Sequence, residues 1–443
     1  MLPYTAIRFM GSAEISAGNI HRLTAAATSS IQPWWRKVAA PVRAWKYTLP
    51  GLVFLWGACG LAEAQGPLVP PGVPAPLMKT IEQLEPRIPI DAVNTPGDAG
   101  SVYRITQPGH YYLTAPLIGE PFKRGITIIA SDVTIDLMGF PVLGVSGATI
   151  GIVTEGPFSN ITLRNGMVAE WPNDGINLAN GGLGSGALIE NVQVVHNGQR
   201  GLLPHHNAVV RGCIISENGL AGMQGADRTV LEESVAGRNG STGFRVGSDS
   251  RIADSLAHHN PTAGFDVGAR SLVNGSIAAS FLITNYVGHG FVVAANSSVH
   301  ESIAFANVGD GFRFTGAGGT LRDSLSTQNV TNGVYIVGSG GVVEKSMVEF
   351  CGVGIRVNGS NSSVIDNHVV RSVNNGILVA SATGVIIHGN TVGSATGVNW
   401  SLAAGQRVGP IVEPNVNLVI VSGDDVGVPL GTTNPWANFT IQP

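Results

Sequence analysis

The chain has 443 residues, of which 25 are basic and 29 acidic, and its formal net charge is −4. Charged residues make up 12% of the chain, about half the usual share, which excludes a highly charged disordered protein. The weak negative charge also argues against a nucleic-acid backbone or an anionic membrane as a partner. Glycine is frequent, with 60 residues and no Gly-X-Y period, so the composition predicts many turns and few helices.

The N-terminal region predicts export. An apolar run over residues 49–61 follows several basic residues and ends in Ala62-Glu63-Ala64, the pattern of a secretory signal. The run is too short to span a bilayer. We therefore predict a leader over residues 1–64, a mature chain without an integral membrane segment, and an extracellular, periplasmic or cell-surface location. Lipidation at Cys59 is the weaker alternative. Residues 65–77 are rich in proline and predict a stiff linker.

A register of glycines runs through most of the remaining chain. Consecutive members lie 21 to 26 residues apart, and each precedes an apolar residue. Most repeats carry a second apolar residue three positions after the glycine, an alternation typical of a strand with one buried face. A repeat of this length cannot bury its own apolar side, so the register predicts stacked coils of parallel strands. The glycines occupy positions 125, 151, 175, 201, 222, 243, 264, 290, 311, 333, 354, 376 and 397.

The predicted fold is all-β, a right-handed parallel β-helix of about 12 coils over residues 125–407. Residues 78–124 are predicted to form an N-terminal cap, and residues 408–443 a C-terminal cap and tail. Cys213 and Cys351 fall six repeats apart, about 29 Å, which excludes a disulfide between them. Four phenylalanines that directly follow repeat glycines are predicted to stack inside the coils: Phe244, Phe265, Phe291 and Phe312.

Three polar columns accompany the glycines. The first holds asparagines four residues before the next glycine, where left-handed turn conformations are predicted: Asn197, Asn218, Asn239, Asn260, Asn307 and Asn329. The second holds small polar residues in mid-repeat, such as Ser234 and Ser255, and predicts a buried turn ladder. The third is acidic and contains Glu233, Asp254, Glu301, Asp323 and Asp366. We interpret the acidic column as a solvated turn, with bridging by Ca²⁺ as the weaker alternative, and predict no other cofactor.

The repeat of glycine followed by two alternating apolar residues, with a mid-coil Asn or Ser, resembles the right-handed parallel β-helix superfamily. That superfamily includes pectate lyases and polygalacturonases. Residues 104–113 (RITQPGHYYL) and 132–144 (DVTIDLMGFPVLG) are similar to the opening of a secreted bacterial group within it, and residues 432–439 (TTNPWANF) are similar to that group's ending. The resemblance implies a fold and secretion, and it does not imply a reaction.

Familiar catalytic and metal-binding sets are incomplete. Gly288-His289-Gly290 and Asp424-Asp425 match fragments of the polygalacturonase motifs, but their order is wrong and the other motifs are missing. We interpret His289 as a turn residue and the aspartate pair as a loop. The pairs His205-His206 and His258-His259 offer one ligand per face, because strand neighbours point to opposite sides, so no metal site is predicted.

The best candidate site is the exposed position two residues after each repeat glycine. In the superfamily that this chain resembles, the substrate groove commonly lies on one such face. Arginines there are suited to bind carboxylates of a uronic-acid polymer, a tyrosine to stack on a sugar ring, and either to take up a proton in lyase chemistry. The predicted substrate-binding residues are Arg245, Asp266, Arg313, Tyr335 and Arg356. The alternative is a plain solvated face on which Arg245 pairs with Asp266.

Two functions stay open from the sequence. The first is a secreted β-helix protein that binds, with cleavage as an option, an extracellular acidic polysaccharide; a lyase is then favoured over a glycoside hydrolase. The second is a non-catalytic structural or adhesive rod at the cell surface, favoured by short repeats that leave little chain for groove walls. No nucleic-acid partner is predicted, and the polymer, the catalytic residues and the oligomeric state are left undetermined.

Overall fold

The computed structural model describes residues 86–280 except 181 and 183, residues 288–413 and residues 434–441. The predicted leader, Cys59, the proline-rich linker and Asp424-Asp425 lie outside the described residues. All of the described residues belong to one compact unit. The described residues contain no helix that is long and apolar enough to cross a membrane.

Within the described part of the chain, fourteen short strands form one side of the coils, which we call face 1. Each coil contributes one strand, and neighbouring strands pair in parallel, as Phe244 with Phe265 and Phe265 with Phe291. The strands of face 1 are Ser101–Ile105, Arg124–Ile128, Ile152–Thr154, Ile176–Asn177, Leu202–Leu203, Met223–Gln224, Thr242–Val246, Ala263–Val267, His289–Val293, Phe312–Phe314, Asn332–Ile336, Val353–Val357, Ile377–Val379 and Trp400–Leu402.

A second side, face 2, follows face 1 in each coil. Its strands are Ile88–Ile90, Gly109–Leu113, Val133–Asp136, Val209–Arg211, Val230–Glu232, Arg251–Ala253, Leu272–Asn274, Ser298–His300, Thr320–Arg322, Val342–Glu344, Ser363–Ile365, Ile386–His388 and Arg407–Val408. Two long strands, Ile161–Ala169 and Leu188–Val195, continue from face 2 into the third side of the coil. They join both sides into one sheet, which has 28 strands among the described residues.

The third side, face 3, completes each coil. Its strands are Leu117–Ile118, Pro141–Leu143, Ile214–Ser216, Val235–Gly237, Leu256–His258, Ile277–Ala279, Ile303–Phe305, Leu325–Thr327, Met347–Glu349, His368–Val370, Thr391–Gly393 and Asn438–Ile441, with Ile411–Val412 paired to the last of them. The pairings throughout these faces are parallel, and the fold is the predicted right-handed parallel β-helix.

The core consists of the side chains that the three faces turn inward. The four phenylalanines Phe244, Phe265, Phe291 and Phe312 are fully buried, and neighbouring ring centroids lie 4.8–5.6 Å apart with interplanar angles of 6–24°. The predicted stack is therefore confirmed. Cys213 and Cys351 are buried free thiols, as the predicted coil separation requires.

The asparagine column forms a buried hydrogen-bonded ladder. Asn197 Nδ2 donates to Asn218 Oδ1 at 2.9 Å, and Asn218 Nδ2 donates to Asn239 Oδ1 at 3.0 Å. The predicted left-handed conformation of these asparagines is wrong, because positive φ belongs to the residue before each of them, as at Glu217 (57°) and Arg238 (54°). At Glu217 and Arg238 the turn thus directs a long polar side chain outward and lets the short asparagine amide that follows reach the neighbouring coil.

The other two polar columns lie at the corner between faces 2 and 3. The backbone N of Ser234 donates to Ser255 Oγ at 3.3 Å, which confirms a buried turn ladder. The five acidic residues of the third column are exposed, and their φ angles of 48–54° place them in the left-handed region. Among the described residues, no three His, Cys, Asp or Glu side chains are grouped so that they could hold a metal ion.

Two details of the predicted repeats differ in the structure. Face 1 has 14 strands, against about 12 predicted coils, in part because Ser101–Ile105 pairs in parallel with Arg124–Ile128 inside the region predicted as a cap. At the other end Val398 is 52% exposed, whereas the glycine register predicts an inward position for the residue that follows each repeat glycine. The cause is the register of the last coil, in which Trp400 pairs with Ile377.

Candidate functional site

The outward positions of face 1 form one continuous file of side chains. Each residue pairs in register with the equivalent residue of the next coil, so neighbouring members are about 4.8 Å apart. The file runs through Gln224, Arg245, Asp266, Val292, Arg313, Tyr335 and Arg356. The predicted alignment of the five candidate residues is confirmed. Their role in substrate binding stays a prediction.

In the N-terminal part of this file the arginines are paired with carboxylates. Arg245 Nε lies 2.7 Å from Asp266 Oδ2 on the next coil, as the solvated-face alternative expected. Arg200, which directly precedes a repeat glycine, contacts both oxygens of Asp174, with Nε 3.0 Å from Oδ1 and Nη2 3.3 Å from Oδ2. Because each guanidinium has its own carboxylate, this part of face 1 carries little net charge.

Further along the file, Arg313, Tyr335 and Arg356 form a group that we call the charged triplet. The guanidinium carbons of Arg313 and Arg356 lie 5.2 Å and 4.9 Å from the centroid of the Tyr335 ring, one on each neighbouring coil. Both distances are within the range of a cation–π interaction. The Nε atom of Arg356 is buried and has no hydrogen-bond partner in the part of the chain that the structure describes.

A buried carboxylate holds one end of the charged triplet. The side chain of Asp310 is 3% exposed, and its Oδ2 lies 3.1 Å from Arg313 Nη1. Its Oδ1 accepts hydrogen bonds from Thr331 Oγ1 at 2.6 Å and from Asn332 Nδ2 at 2.5 Å. Asp310 therefore orients Arg313 and shares its charge, whereas Arg356 has no carboxylate partner among the described residues.

His289 lies beside Asp310 and was interpreted from the sequence as a turn residue. In the structure it begins the strand His289–Val293 of face 1, and its Nδ1 accepts a hydrogen bond of 2.9 Å from the backbone N–H of Asp310. A backbone N–H only donates, so the hydrogen of the ring is on Nε2. Burial lowers the pKa of His289. The Asp310 carboxylate raises this pKa, and the Arg313 guanidinium lowers it. In this arrangement Nδ1 of His289 is occupied by the Asp310 backbone, with Asp310 Oδ2 3.4 Å away, and the Nε2–H group is left as a hydrogen-bond donor.

Asn358 completes the cluster on the other side of Tyr335. Its Nδ2 donates a hydrogen bond of 2.9 Å to the Tyr335 hydroxyl, and its buried Oδ1 has no partner among the described residues. An unpartnered donor on Arg356 and an unpartnered acceptor on Asn358 thus flank the same tyrosine. Buried polar atoms normally find partners, so this pair marks a place where a ligand or water contributes hydrogen bonds.

Sequence reasoning assigned four members of this cluster to no site. His289, Asp310 and Asn332 all directly precede a repeat glycine, in three successive coils, and Asn358 directly follows the strand Val353–Val357. The same glycine register, read one position earlier, contains His289, Asp310 and Asn332 as a column. Their contacts were not predictable from that column, because they depend on which rotamers bridge neighbouring coils.

The histidine pairs lie apart from this cluster in the fold. The predicted arrangement of His258 and His259 on opposite sides is wrong, since their Nδ1 atoms lie 3.0 Å apart. His259 has a φ of 54°, and this left-handed turn brings the two rings to the same side. His205 is buried, and its Nε2 has no hydrogen-bond partner in the described part of the chain. Burial, followed by the neighbouring His206, lowers the pKa of His205 to about 4.

Comparisons with known proteins agree with the fold. Residues 150–319 match the family model described as the right handed beta helix region. No curated protein matches the chain. Solved structures similar to it include the periplasmic alginate epimerase AlgG, with 11% identity, 69% of this chain and 83% of that chain covered, and a TM-score of 0.49.

Two further structures show the same range of similarity. The A-module of the mannuronan C-5 epimerase AlgE4 from Azotobacter vinelandii has 15% identity, covers 68% of this chain and 83% of its own, and gives a TM-score of 0.37. PfbA, a surface adhesin of Streptococcus pneumoniae, has 12% identity, covers 66% and 83%, and gives a TM-score of 0.32. At these identities the likeness concerns the fold alone. The resemblance predicted from the repeats is confirmed at that level: the chain contains a right-handed parallel β-helix region.

Proposed function

We propose that the protein binds an acidic polysaccharide along face 1 at the charged triplet. The observation that carries the proposal is the placement of Arg313 and Arg356 on either side of Tyr335, with Arg356 lacking a carboxylate partner among the described residues. Asp310 offsets one of the two positive charges, so one remains for a ligand. A guanidinium suits a carboxylate because its parallel N–H groups match the two oxygens.

The spacing of the triplet favours a polymer. Arg313 and Arg356 are two coils apart, about 10 Å, so a ligand that contacts both must present acidic groups at intervals along the axis of the coils. Tyr335 has a guanidinium over its ring from each neighbouring coil, and we assign it the role of holding both arginines in place. Asn358 and the Nε2–H of His289 add uncharged hydrogen-bonding groups at the edges, which suit sugar hydroxyls.

The proposal is tested by calorimetric binding of the mature protein to polygalacturonate and to alginate. Wild-type affinity should decrease as salt increases, because the contact is ionic. Arg356→Ala should weaken binding at least tenfold, and Arg313→Ala should weaken it less because Asp310 already shares that charge. Arg251→Ala is the matched control, since Arg251 is an exposed arginine on face 2.

Absence of wild-type binding to both polymers at low ionic strength would overturn the proposal. The same result would favour the second function predicted from the sequence, a surface rod without a ligand on face 1. Equal binding by Arg356→Ala and wild type would show that the polymer contacts another part of the surface.

Lyase activity is a second candidate, favoured by the position of Tyr335 between two guanidinium groups. In β-elimination a base removes the hydrogen next to the carboxylate, the C–H electron pair forms a double bond, and the glycosidic oxygen leaves with its electrons and takes up a proton. Arginines bound to the carboxylate make that hydrogen more acidic. We assign the proton exchange to Tyr335 Oη, which accepts a hydrogen bond from Asn358. Ultraviolet absorbance from unsaturated products should appear with wild type and disappear in Tyr335→Phe; no absorbance with wild type would exclude this activity on the polymers tested.

A further inference from the structure

A second concave site lies on the same face, in the coils that precede the charged triplet. It is a cavity of about 350 Å³, near the small end of the range of about 300–1,000 Å³ typical of ligand pockets. Its lining combines two arginines, an amide, three hydroxyls and two small or aliphatic side chains: Arg200, Gln224, Arg245, Ser241, Thr242, Thr262, Leu220 and Ala221. No part of the charged triplet lines this cavity.

The cavity contains two guanidinium groups, yet its charges cancel. Arg200 is held through Nε and Nη2 by Asp174, whose side chain is 4% exposed, and Arg245 is held through Nε by Asp266. An anionic ligand would have to compete with both carboxylates and would be repelled by them. Each guanidinium still has an edge that its aspartate does not contact, and this edge donates hydrogen bonds to an uncharged oxygen as well as to a charged one.

The rest of the lining also matches an uncharged, hydroxyl-rich ligand. Ser241 and Thr262 each provide a hydroxyl that both donates and accepts, and Gln224 provides an amide with both capacities, whereas Thr242 is 2% exposed and forms part of the wall. Leu220, which is 47% exposed, offers an apolar surface at the cavity for the C–H side of a ring. A sugar ring has this combination of hydroxyls around its edge and C–H groups on its faces.

We infer that this cavity is a subsite for an uncharged sugar residue. The inference rests on the proposed function, since it places the cavity and the charged triplet on one polysaccharide. Arg245 and Arg313 belong to the same outer file and are three coils apart, about 14 Å. A single polymer lying along the file therefore meets a neutral subsite and then an anionic one. The ligand class that fits is a heteropolysaccharide in which acidic residues are separated by neutral ones, rather than a uniform polyuronate.

The experiment compares three probes by calorimetry: maltohexaose as a neutral oligosaccharide, polygalacturonate as a uniform polyuronate, and gellan as an acidic polymer with neutral residues between its uronates. Two variants test the cavity. Ser241→Phe fills it, and Gln224→Ala removes its amide with minimal risk to the fold, because Gln224 is exposed. Arg356→Ala reports on the charged triplet, and thermal unfolding verifies that every variant is folded.

We expect gellan to bind more tightly than polygalacturonate. Ser241→Phe should weaken gellan binding at least fivefold, Gln224→Ala about twofold to threefold, and neither should change polygalacturonate binding. Maltohexaose should bind weakly, independently of salt, and should lose binding in Ser241→Phe but not in Arg356→Ala.

The two proposals fail in different ways. If both cavity variants bind gellan as wild type does, and maltohexaose does not bind, the neutral subsite is overturned while the charged triplet is unaffected. If Arg356→Ala changes neither gellan nor polygalacturonate binding, the proposed function fails, and the heteropolymer inference fails with it. Loss of maltohexaose binding in Ser241→Phe would in that case identify the cavity as a neutral-sugar site independent of any acidic polymer.

Discussion

The inner and outer sides of face 1 follow different rules although they share the same strands. On the inner side, Phe244 and Phe265 repeat the same residue type from coil to coil, and their rings stack. On the outer side, their neighbours Arg245 and Asp266 have opposite charges and form an ion pair. The interior of a solenoid must present matching shapes at every coil, whereas the exterior contacts solvent and can differ at each coil. A functional site on this fold is therefore expected where the outer side chains differ from one coil to the next.

The largest expected effect tests the inner side. Phe265→Ala removes the middle of the aromatic stack and should lower the free energy of unfolding by about 3–5 kcal/mol, through lost burial and a residual cavity. Chemical denaturation monitored by circular dichroism measures it. Val292→Ala, on the outer side of an adjacent strand, is the matched control and should cost less than about 1 kcal/mol. Equal costs for the two variants would remove the distinction between the sides.

A second test concerns His205, a buried side chain that is polar rather than apolar. The folded pKa of His205 is about 4, below its ordinary value of 6.5. Between these values the unfolded chain binds a proton that the folded chain does not, so stability is complete above pH 6.5 and decreases as the pH falls to about 4. In His205→Gln the free energy of unfolding should therefore decrease by up to about 3 kcal/mol less than in wild type over this pH range.

The measurement for His205 is the difference between wild type and variant in denaturation curves at several pH values. The partly buried histidines His258, His259 and His289 also have lowered pKa values, so they contribute to the total slope in both proteins. An unchanged slope in His205→Gln would mean that His205 titrates normally in the folded chain.

A substitution in the charged triplet should have a smaller effect, which changes the free energy of ligand binding and not the free energy of unfolding. The tenfold loss expected for Arg356→Ala corresponds to about 1.4 kcal/mol. Its thermal unfolding should remain within a degree or two of wild type, because the side chain is on the outer side. A large decrease in thermal stability would assign Arg356 to the structure of the coils rather than to ligand binding.

The smallest expected effect concerns ion pairing on the outer side. Asp266→Asn leaves Arg245 without its carboxylate, so the N-terminal part of the outer file gains a net positive charge. We expect polygalacturonate affinity at low salt to increase about twofold to threefold, with a change in unfolding free energy below about 1 kcal/mol, as for an exposed ion pair. Decreased affinity would indicate that Asp266 itself contacts the polymer.

The sequence predicted what the repeat controls. The glycine spacing placed Phe244 to Phe312 in one stack and aligned Arg313 with Arg356, because a fixed coil length determines which residues are neighbours. It did not predict the conformation of Glu217, since a turn of four residues can direct either Glu217 or Asn218 inward.

The side-chain contacts within the site could not be predicted from the sequence either. Asp310 receives hydrogen bonds from Thr331 and Asn332 and an ion pair from Arg313, and these contacts depend on side-chain rotamers across two coils. The pairing of Arg200 with Asp174 is of the same kind, because the two residues are 26 positions apart in coils of unequal length. Which arginines on face 1 are neutralised, and which are available to a ligand, follows from such contacts.

The stacking of coils also determines how the protein responds to mechanical load. Each coil is held only by its two neighbours, so a force that pulls the chain ends apart detaches coils one after another from an end. A coil of 21 residues, the separation of Asn197 and Asn218, releases about 70 Å of chain when it extends. A force–extension curve should therefore show a regular series of small ruptures. A protein tethered at one end and bound to a polymer on face 1 would lengthen in steps under shear and dissipate work before the attachment is lost.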